Sequence, residues 1–549
     1  MNLSPRAALA GVAAAGVAIG VAEIVAVLTG PLSSPLLAVG GVVVDTVPGP
    51  VKDVGIAVFG THDKTALIVG TVILLCGYAA LLGVVAVRSR AAAFAGVALF
   101  GVIGVTAAVT RHDAGFTAAL PSIVAMLVAA LALYYLVRLA VTADPAPAAP
   151  GGDDGRPVDR AGTEENRRRF LLALGGAAAV AVVGGFGGRF LTSRRAVTAA
   201  RDAVVLPEPL RLAPAIPAGA QVRGAVPYVT SNSDFYRIDT ALYPPQIDPA
   251  TWELRIHGMV RNPITLTWEQ LLRRPMVQRY VTLACVSNEV GGDLIGNALW
   301  LGTPIKDLLD EAQPLPDADQ VVQRSADGWT CGSPTAVLRD GRDALLAIGM
   351  NGRPLPVSHG FPARMVVPGL YGYVSACKWI TEIELTRFAD FDAYWVPRGW
   401  SAQGPIKTQS RIDTPRDGAG RKAGAVTVAG VAWAQHRGIR WVEVQIDGGP
   451  WARATLAPAV STDTWVQWSY VWQATPGEHF VRVRAADGDG AVQTGAPRAA
   501  GAGRGDGVAF GAGHGRLRVS PKSRTFGPTS TPSSLIRWLA CPPMRRTRR

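Results

Sequence analysis

The chain has 549 residues, enough for several domains, and its 49% hydrophobic content with positive mean hydropathy points to membrane segments rather than one oversized core. Its net charge of +13 does not mark a nucleic-acid binder: eleven Arg and Lys against one acid, Asp506, crowd into 496–549, and the remainder is close to neutral. Five cysteines scattered at 76, 285, 331, 377 and 541 form no CxxC pair, which excludes a readable disulfide framework, iron–sulfur set or zinc cluster.

A bilayer crossing needs about 20 apolar residues. Five stretches supply them, 7–28, 65–87, 91–110, 114–137 and 170–188, and predict an N-terminal α-helical membrane bundle. Residues 1–141 then hold four spans, 142–169 a cytoplasmic loop and 170–190 the fifth span. The stretch 36–47 is too short to cross and reads as re-entrant or interfacial. Only the first span carries a charge, Glu23. Such a group is costly in lipid, so Glu23 is either a functional site or a helix–helix hydrogen-bonding group.

Arginine distribution sets the orientation. Arg6, Arg88, Arg90, Arg138, Arg156, Arg160 and Arg167 to Arg169 fall on one face, the cytoplasmic one, with the sparser Lys52, Lys64 and Arg111 opposite. The N-terminus is therefore cytoplasmic and the C-terminal half extracytoplasmic. Haem between helices would need facing histidines inside spans. His62 and His112 fall in outer loops, so no haem is expected.

After a linker over 191–217, rich in proline from Leu206 to Pro217, short strands such as 281–284 and 364–367 and a helix at 304–310 predict an α+β domain over 218–410. Two-residue alternation in 425–433 and 441–449, with an Asp447-Gly448 turn signal, predicts a β-sandwich over 411–494. Its tryptophans, at 433, 441, 451, 465, 468 and 472, read as core. The tail 495–549 is Gly-, Pro- and Arg-rich and reads as disordered, leaving the sandwich without its closing strand. A shifted reading frame at or soon after Thr494 and a natural basic extension both account for it.

Two segments carry the chemistry: Ala284-Cys285-Val286-Ser287-Asn288-Glu289, and His359-Gly360-Phe361-Pro362-Ala363-Arg364. A thiolate is a soft ligand for a high-valent metal shared with sulfur donors. A lone cysteine in an apolar strand can equally be a small buried hydrophobe. Together with Trp252 to Gly258, Thr267 to Leu272, Trp300 to Ile305, Met350 to Pro356 and Gln409 to Gly418, all in order, the two segments resemble the sulfite oxidase family of molybdenum-pterin oxidoreductases.

That resemblance implies a molybdopterin domain followed by an Ig-like dimerisation domain, hence a possible homodimer. It makes Cys285 the metal ligand, and Arg237 an arginine lining the metal pocket. His359 and Arg364 would hold the pterin and its phosphate, with Ser325, Ser375 and Lys378 as further cofactor contacts. On residue type alone, Arg237 and Lys378 are surface cations. The implied cofactor is molybdenum–molybdopterin, and the implied reaction is two-electron oxygen-atom transfer on a small molecule. An external electron donor or acceptor, cytochrome- or quinone-linked, completes it.

Two departures bear on substrate: Ser287 to Val290 replace a basic run, and Trp329 stands where those enzymes place a pocket tyrosine. Both weaken an anion pocket and favour a neutral, sulfoxide-like substrate over sulfite. Asn166-Arg167-Arg168-Arg169-Phe170 resembles a twin-arginine export signal, which suits a domain exported with its cofactor inserted; an ordinary basic flank is the alternative. Rival functions are a degenerate pterin-fold binding or assembly module and a membrane transporter with an appended domain.

Overall fold

Small residues line the first helix, Pro5–Thr29, where it meets the helices Asp63–Arg88, Leu120–Thr142 and Arg160–Arg194. A Cβ on Gly11 or Gly83 would collide with the backbone carbonyl of Ala79 or Ala7 on the facing helix, so only glycine permits this approach. The computed structural model describes residues 5–30, 33–47, 63–110, 115–143, 160–194, 197–241, 243–289, 291–494 and 513–520. Five helices are long and apolar enough to cross a membrane: Pro5–Thr29, Ala66–Arg88, Arg90–Val109, Phe116–Thr142 and Glu164–Gly188. Pro35–Thr46 is a 12-residue helix packed on Arg90–Val109, too short to span. His62 and His112 lie outside the described residues.

Glu23 is buried and accepts a hydrogen bond from Ser34 Oγ at 2.6 Å, which fits the hydrogen-bonding alternative. Arg6 Nη1 donates to Ala143 O at 2.9 Å and Asn166 Nδ2 to Thr142 O at 3.3 Å. The helix ends bearing Arg6, Arg138 and Arg167 to Arg169 therefore meet at one end of the bundle.

Two boundaries move. Residues 160–169, expected in a loop, form the first turns of the 35-residue helix Arg160–Arg194. No proline interrupts it, and Glu165 and Arg169 pair across one turn at 2.5 Å. The linker docks on the domain that follows it. Val197 is buried in the core of the following domain, Arg201 donates to Leu355 O and Pro354 O, and Leu210 N donates to Met276 O at 2.8 Å. An extended proline-rich chain can add to a sheet edge in this way.

The α+β domain holds two five-stranded sheets. One is ordered Ile264–Thr267, Glu253–Gly258, Ile380–Thr386, Gln320–Ser325, Thr330–Pro334. The other runs Val277–Ala284, Ile295–Pro304, Leu345–Met350, Arg353–Pro354, with Arg364–Val366 also paired to Leu345–Met350. The helix Ile305–Ala312 buries Ile305, Leu308, Leu309 and Ala312. Expected strands and helix all form, a residue or more longer or shifted at their ends.

The C-terminal domain is a β-sandwich with strands Gly424–Trp433 and Ile439–Ile446 in opposite sheets, enclosing Val428, Val442, Val444, Trp468 and Val483. Trp433, Trp465 and Trp468 are fully buried, whereas Trp441, Trp451 and Trp472 are half-buried. The tail requires a correction. Gly513–Ser520 forms a strand that pairs antiparallel with Gly477–Asp487 and parallel with Ala419–Lys422. Leu517 and Val519 cover Val426 and Ala474, so burial of alternate residues outweighs the basic composition. The rest of the tail lies outside the described residues.

Candidate active site

Val277–Ala284 ends at Cys285, whose amide donates to Leu294 O at 2.9 Å and closes the loop that follows. Asn288 is buried inside that loop, its Oδ1 accepting from Leu294 N at 2.8 Å. The sandwich buttresses the same strand: Gln435 Nε2 donates to Thr282 O, Trp465 N to Thr282 Oγ1, and Arg411 Nη1 to Gly292 O. Cys285 itself is half-buried at the edge of this frame. Burial pushes its thiol up, opposed by hydrogen bonds from Ser287 and Val286 and by the charge of Lys378.

The second motif turns on a glycine. His359 ends a short 3₁₀ turn, and Gly360 has φ 112°, a conformation side chains disfavour. A Cβ there would lie 2.9 Å from Arg364 Cβ and 3.2 Å from Lys378 Cα, so glycine lets these two residues close together. Arg364 and Lys378 form a backbone bridge. His359 Nε2 donates to Asn232 O at 3.0 Å, and Phe235 meets the His359 ring edge-on. Burial, reinforced by the charges of Arg364 and Lys378, pulls His359 down to about 4, leaving the imidazole neutral at pH 7.

Arg364 is 5% exposed. Among the described residues its partners are neutral: His359 O at 3.1 Å, Met365 O at 3.3 Å, and the Trp300 ring 5.1 Å from the guanidinium. Burial pulls it down to about 10, still charged at neutral pH. Lys378 is 9% exposed and donates to Asp239 Oδ2 at 2.6 Å, while Arg237 Nε reaches the same oxygen at 2.8 Å. Burial pulls Lys378 down to about 8 against the pull of Asp239.

Arg237, His359, Arg364 and Lys378 are thus assembled around the segment Asn232 to Asp239, with Tyr236 electrostatically coupled to both Cys285 and Arg364. Ser325 and Ser375 stand differently. Both are buried, and their hydroxyls serve local backbone, Asp327 N and Tyr371 O respectively. Trp329 packs on the core of the first sheet, and the rings coupled to Cys285 are Tyr236 and Tyr371. Asp239, Asn232, Tyr236 and Tyr371 have no sequence signal as site residues, each being an ordinary residue outside the two motifs, and Trp300 has one only as the first residue of the Trp300 to Ile305 likeness. Among the described residues no group of three or more His, Cys, Asp or Glu could hold a metal without other donors.

A buried guanidinium without a carboxylate calls for an anion, and phosphate matches its fork. A single half-buried thiol, Cys285, and the buried cations Arg364 and Lys378 would fit a phosphate-bearing dithiolene cofactor that brings its own sulfur ligands.

Residues 241–395 match the oxidoreductase molybdopterin binding domain family. The chain is 30% identical over 175 residues to the uncharacterised oxidoreductase YuiH of Bacillus subtilis, covering 32% of this chain and 84% of that one. The chain belongs to the sulfite oxidase family of molybdopterin oxidoreductases. Mouse mitochondrial sulfite oxidase is 30% identical over 272 residues, 42% of this sulfite oxidase family member, which spans only 49% of the mouse protein's length. The crystal structure of the sulfane dehydrogenase SoxCD from Paracoccus pantotrophus aligns at 24% identity with a TM-score of 0.43, over 48% of this chain and 74% of that one.

Proposed function

We propose that this protein is a membrane-anchored molybdopterin oxidoreductase whose catalytic domain, 218–410, works outside the cytoplasm. The observation that carries the reading is Arg364: a buried cation whose partners among the described residues are backbone carbonyls and the Trp300 ring, packed beside His359 and Lys378. When bound, the molybdenum–pterin group supplies two-electron oxygen-atom transfer on a small molecule. Cys285 holds the metal through its thiolate. Arg364 grips the cofactor phosphate, and neutral His359 offers a hydrogen bond to the pterin. Lys378 and Arg237, held by Asp239, keep positive charge at the rim, and Ser325 and Ser375 shape the buried backbone around it.

A neutral, sulfoxide-like substrate suits this balance better than sulfite. Asp239 offsets one of the two charges of Arg237 and Lys378, Arg364 faces the cofactor phosphate, and His359 is neutral, so less positive charge remains for a substrate anion. The electron donor or acceptor is an external protein or quinone, and the β-sandwich, 411–520, serves any homodimer. The twin-arginine-like Arg167 to Arg169 suits export of a folded domain.

Full-length protein made in a host that synthesises the cofactor should carry one molybdenum per chain by elemental analysis and show pterin fluorescence on release. Cys285→Ala should abolish turnover of a methyl sulfoxide while leaving the fold intact. Purified protein without molybdenum overturns the reading.

A further inference from the structure

A cavity of about 310 Å³ opens where the end of Asp63–Arg88, the start of Arg90–Val109 and the end of Leu120–Thr142 meet. Arg90, Arg138 and Tyr134 line it on the polar side, and Val87, Phe94 and Val141 form its apolar wall. The Arg90 guanidinium lies over the Tyr134 ring at 5.4 Å from the centroid, which seats it without using its N–H donors. Among the described residues no carboxylate pairs with Arg90 or Arg138.

We infer that this cleft binds the headgroup phosphate of an acidic glycerophospholipid in the leaflet at the arginine-rich end of the bundle. Charge retention on one side accounts for arginines near the membrane, but not for two of them facing one cavity with an aromatic seat beneath one. Guanidinium groups without a counter-ion take phosphate in bidentate geometry. The apolar wall selects the lipid over free phosphate, because acyl chains cover Val87, Phe94 and Val141 and an inorganic ion leaves them bare. The inference rests on the proposed membrane-spanning reading of the bundle.

Native mass spectrometry on full-length protein in mild detergent, titrated with phosphatidylglycerol or phosphatidylcholine, tests it. Wild type and Arg88→Gln, whose arginine lies outside the cleft, should prefer phosphatidylglycerol. The double variant R90Q/R138Q should bind it roughly 30-fold more weakly, from about 1 kcal/mol per arginine. R90K/R138K, which keeps the charge but loses the planar fork, should bind between wild type and the double glutamine variant; affinity equal to wild type overturns the bidentate seating. Excess inorganic phosphate should leave the lipid bound; its displacement overturns the lipid assignment. Protein extracted from membranes that binds both lipids alike, or a double variant equal to wild type, overturns the site alone. Recovery of the chain in the soluble fraction overturns the spanning reading itself.

Discussion

Lys378 Nζ and Arg237 Nε share one oxygen of Asp239, at 2.6 and 2.8 Å, and the Asp239 side chain is 4% exposed. Breaking a buried pair by removing one partner leaves the other charge uncompensated, at about 3–5 kcal/mol. Asp239→Asn should therefore lower the stability of the catalytic domain by that order. It should also drop Lys378 further below its already depressed value, so that the lysine is neutral at pH 7 and its hold on an anionic cofactor weakens. Arg237→Ala, at a side chain 37% exposed, should cost under about 1 kcal/mol. Denaturant midpoints and released pterin, measured on both variants, separate the two; equal effects would mean that Asp239 does not act through Lys378.

His359 gives a pH signature of opposite origin. Its native value of about 4 lies below the ordinary 6.5, so the unfolded chain binds the proton first. Stability from this group is complete above pH 6.5, falls as pH drops from 6.5 to 4, and levels off below 4. The span corresponds to about 3 kcal/mol. His359→Gln should flatten the unfolding midpoint across that window while lowering it at pH 7 through the lost contacts of the ring. A variant with the wild-type slope would assign the pH dependence elsewhere.

The arginine asymmetry makes a topological statement that the bundle's geometry complements, since Arg6, Arg138 and Arg167 to Arg169 meet at one end. A phosphatase reporter fused after Arg195 should be active outside the cytoplasm, and one fused at Gly151 inactive. Replacing Arg167, Arg168 and Arg169 with lysine keeps the charge and should leave the first four spans inserted while blocking export of the folded domain. Normal export would leave these residues as an ordinary basic flank.

How much of this was legible in the chain differs by element. The five long apolar helices were, because unbroken apolar length is visible in the chain; the start of Arg160–Arg194 was not, because its first turns are polar and only the absence of a proline lets the helix run back to them. Cys285, His359 and Arg364 were legible as a motif pair. Asp239 was not, because an acid two residues after an arginine has no pattern of its own, and its partner Lys378 lies 139 positions away. Ser325 and Ser375 were legible as positions, yet their hydroxyls turn to local backbone. The strand Gly513–Ser520 is faint in the sequence although Arg516-Leu517-Arg518-Val519 does alternate: four such residues inside a Gly- and Arg-rich run carry little signal until Gly477–Asp487 offers its edge.

That strand supports the most direct test of the C-terminal region. Leu517 is 2% exposed and Val519 6%, both packed on Val426 and Ala474. Truncating a buried leucine to alanine costs about 2–5 kcal/mol, so Leu517→Ala should lower the stability of the sandwich measurably. Ending the chain at Thr494 should do more, since it also strips the hydrogen-bonding edge of Gly477–Asp487 and leaves an open strand prone to association. Limited trypsin digestion reads the same contact without mutation. The peptide bonds after Arg516 and Arg518 lie within the ladder and should resist cleavage until the sandwich unfolds. Rapid cutting after Arg516 in the native protein, with Leu517→Ala as stable as wild type, would show that the tail does not close the sandwich.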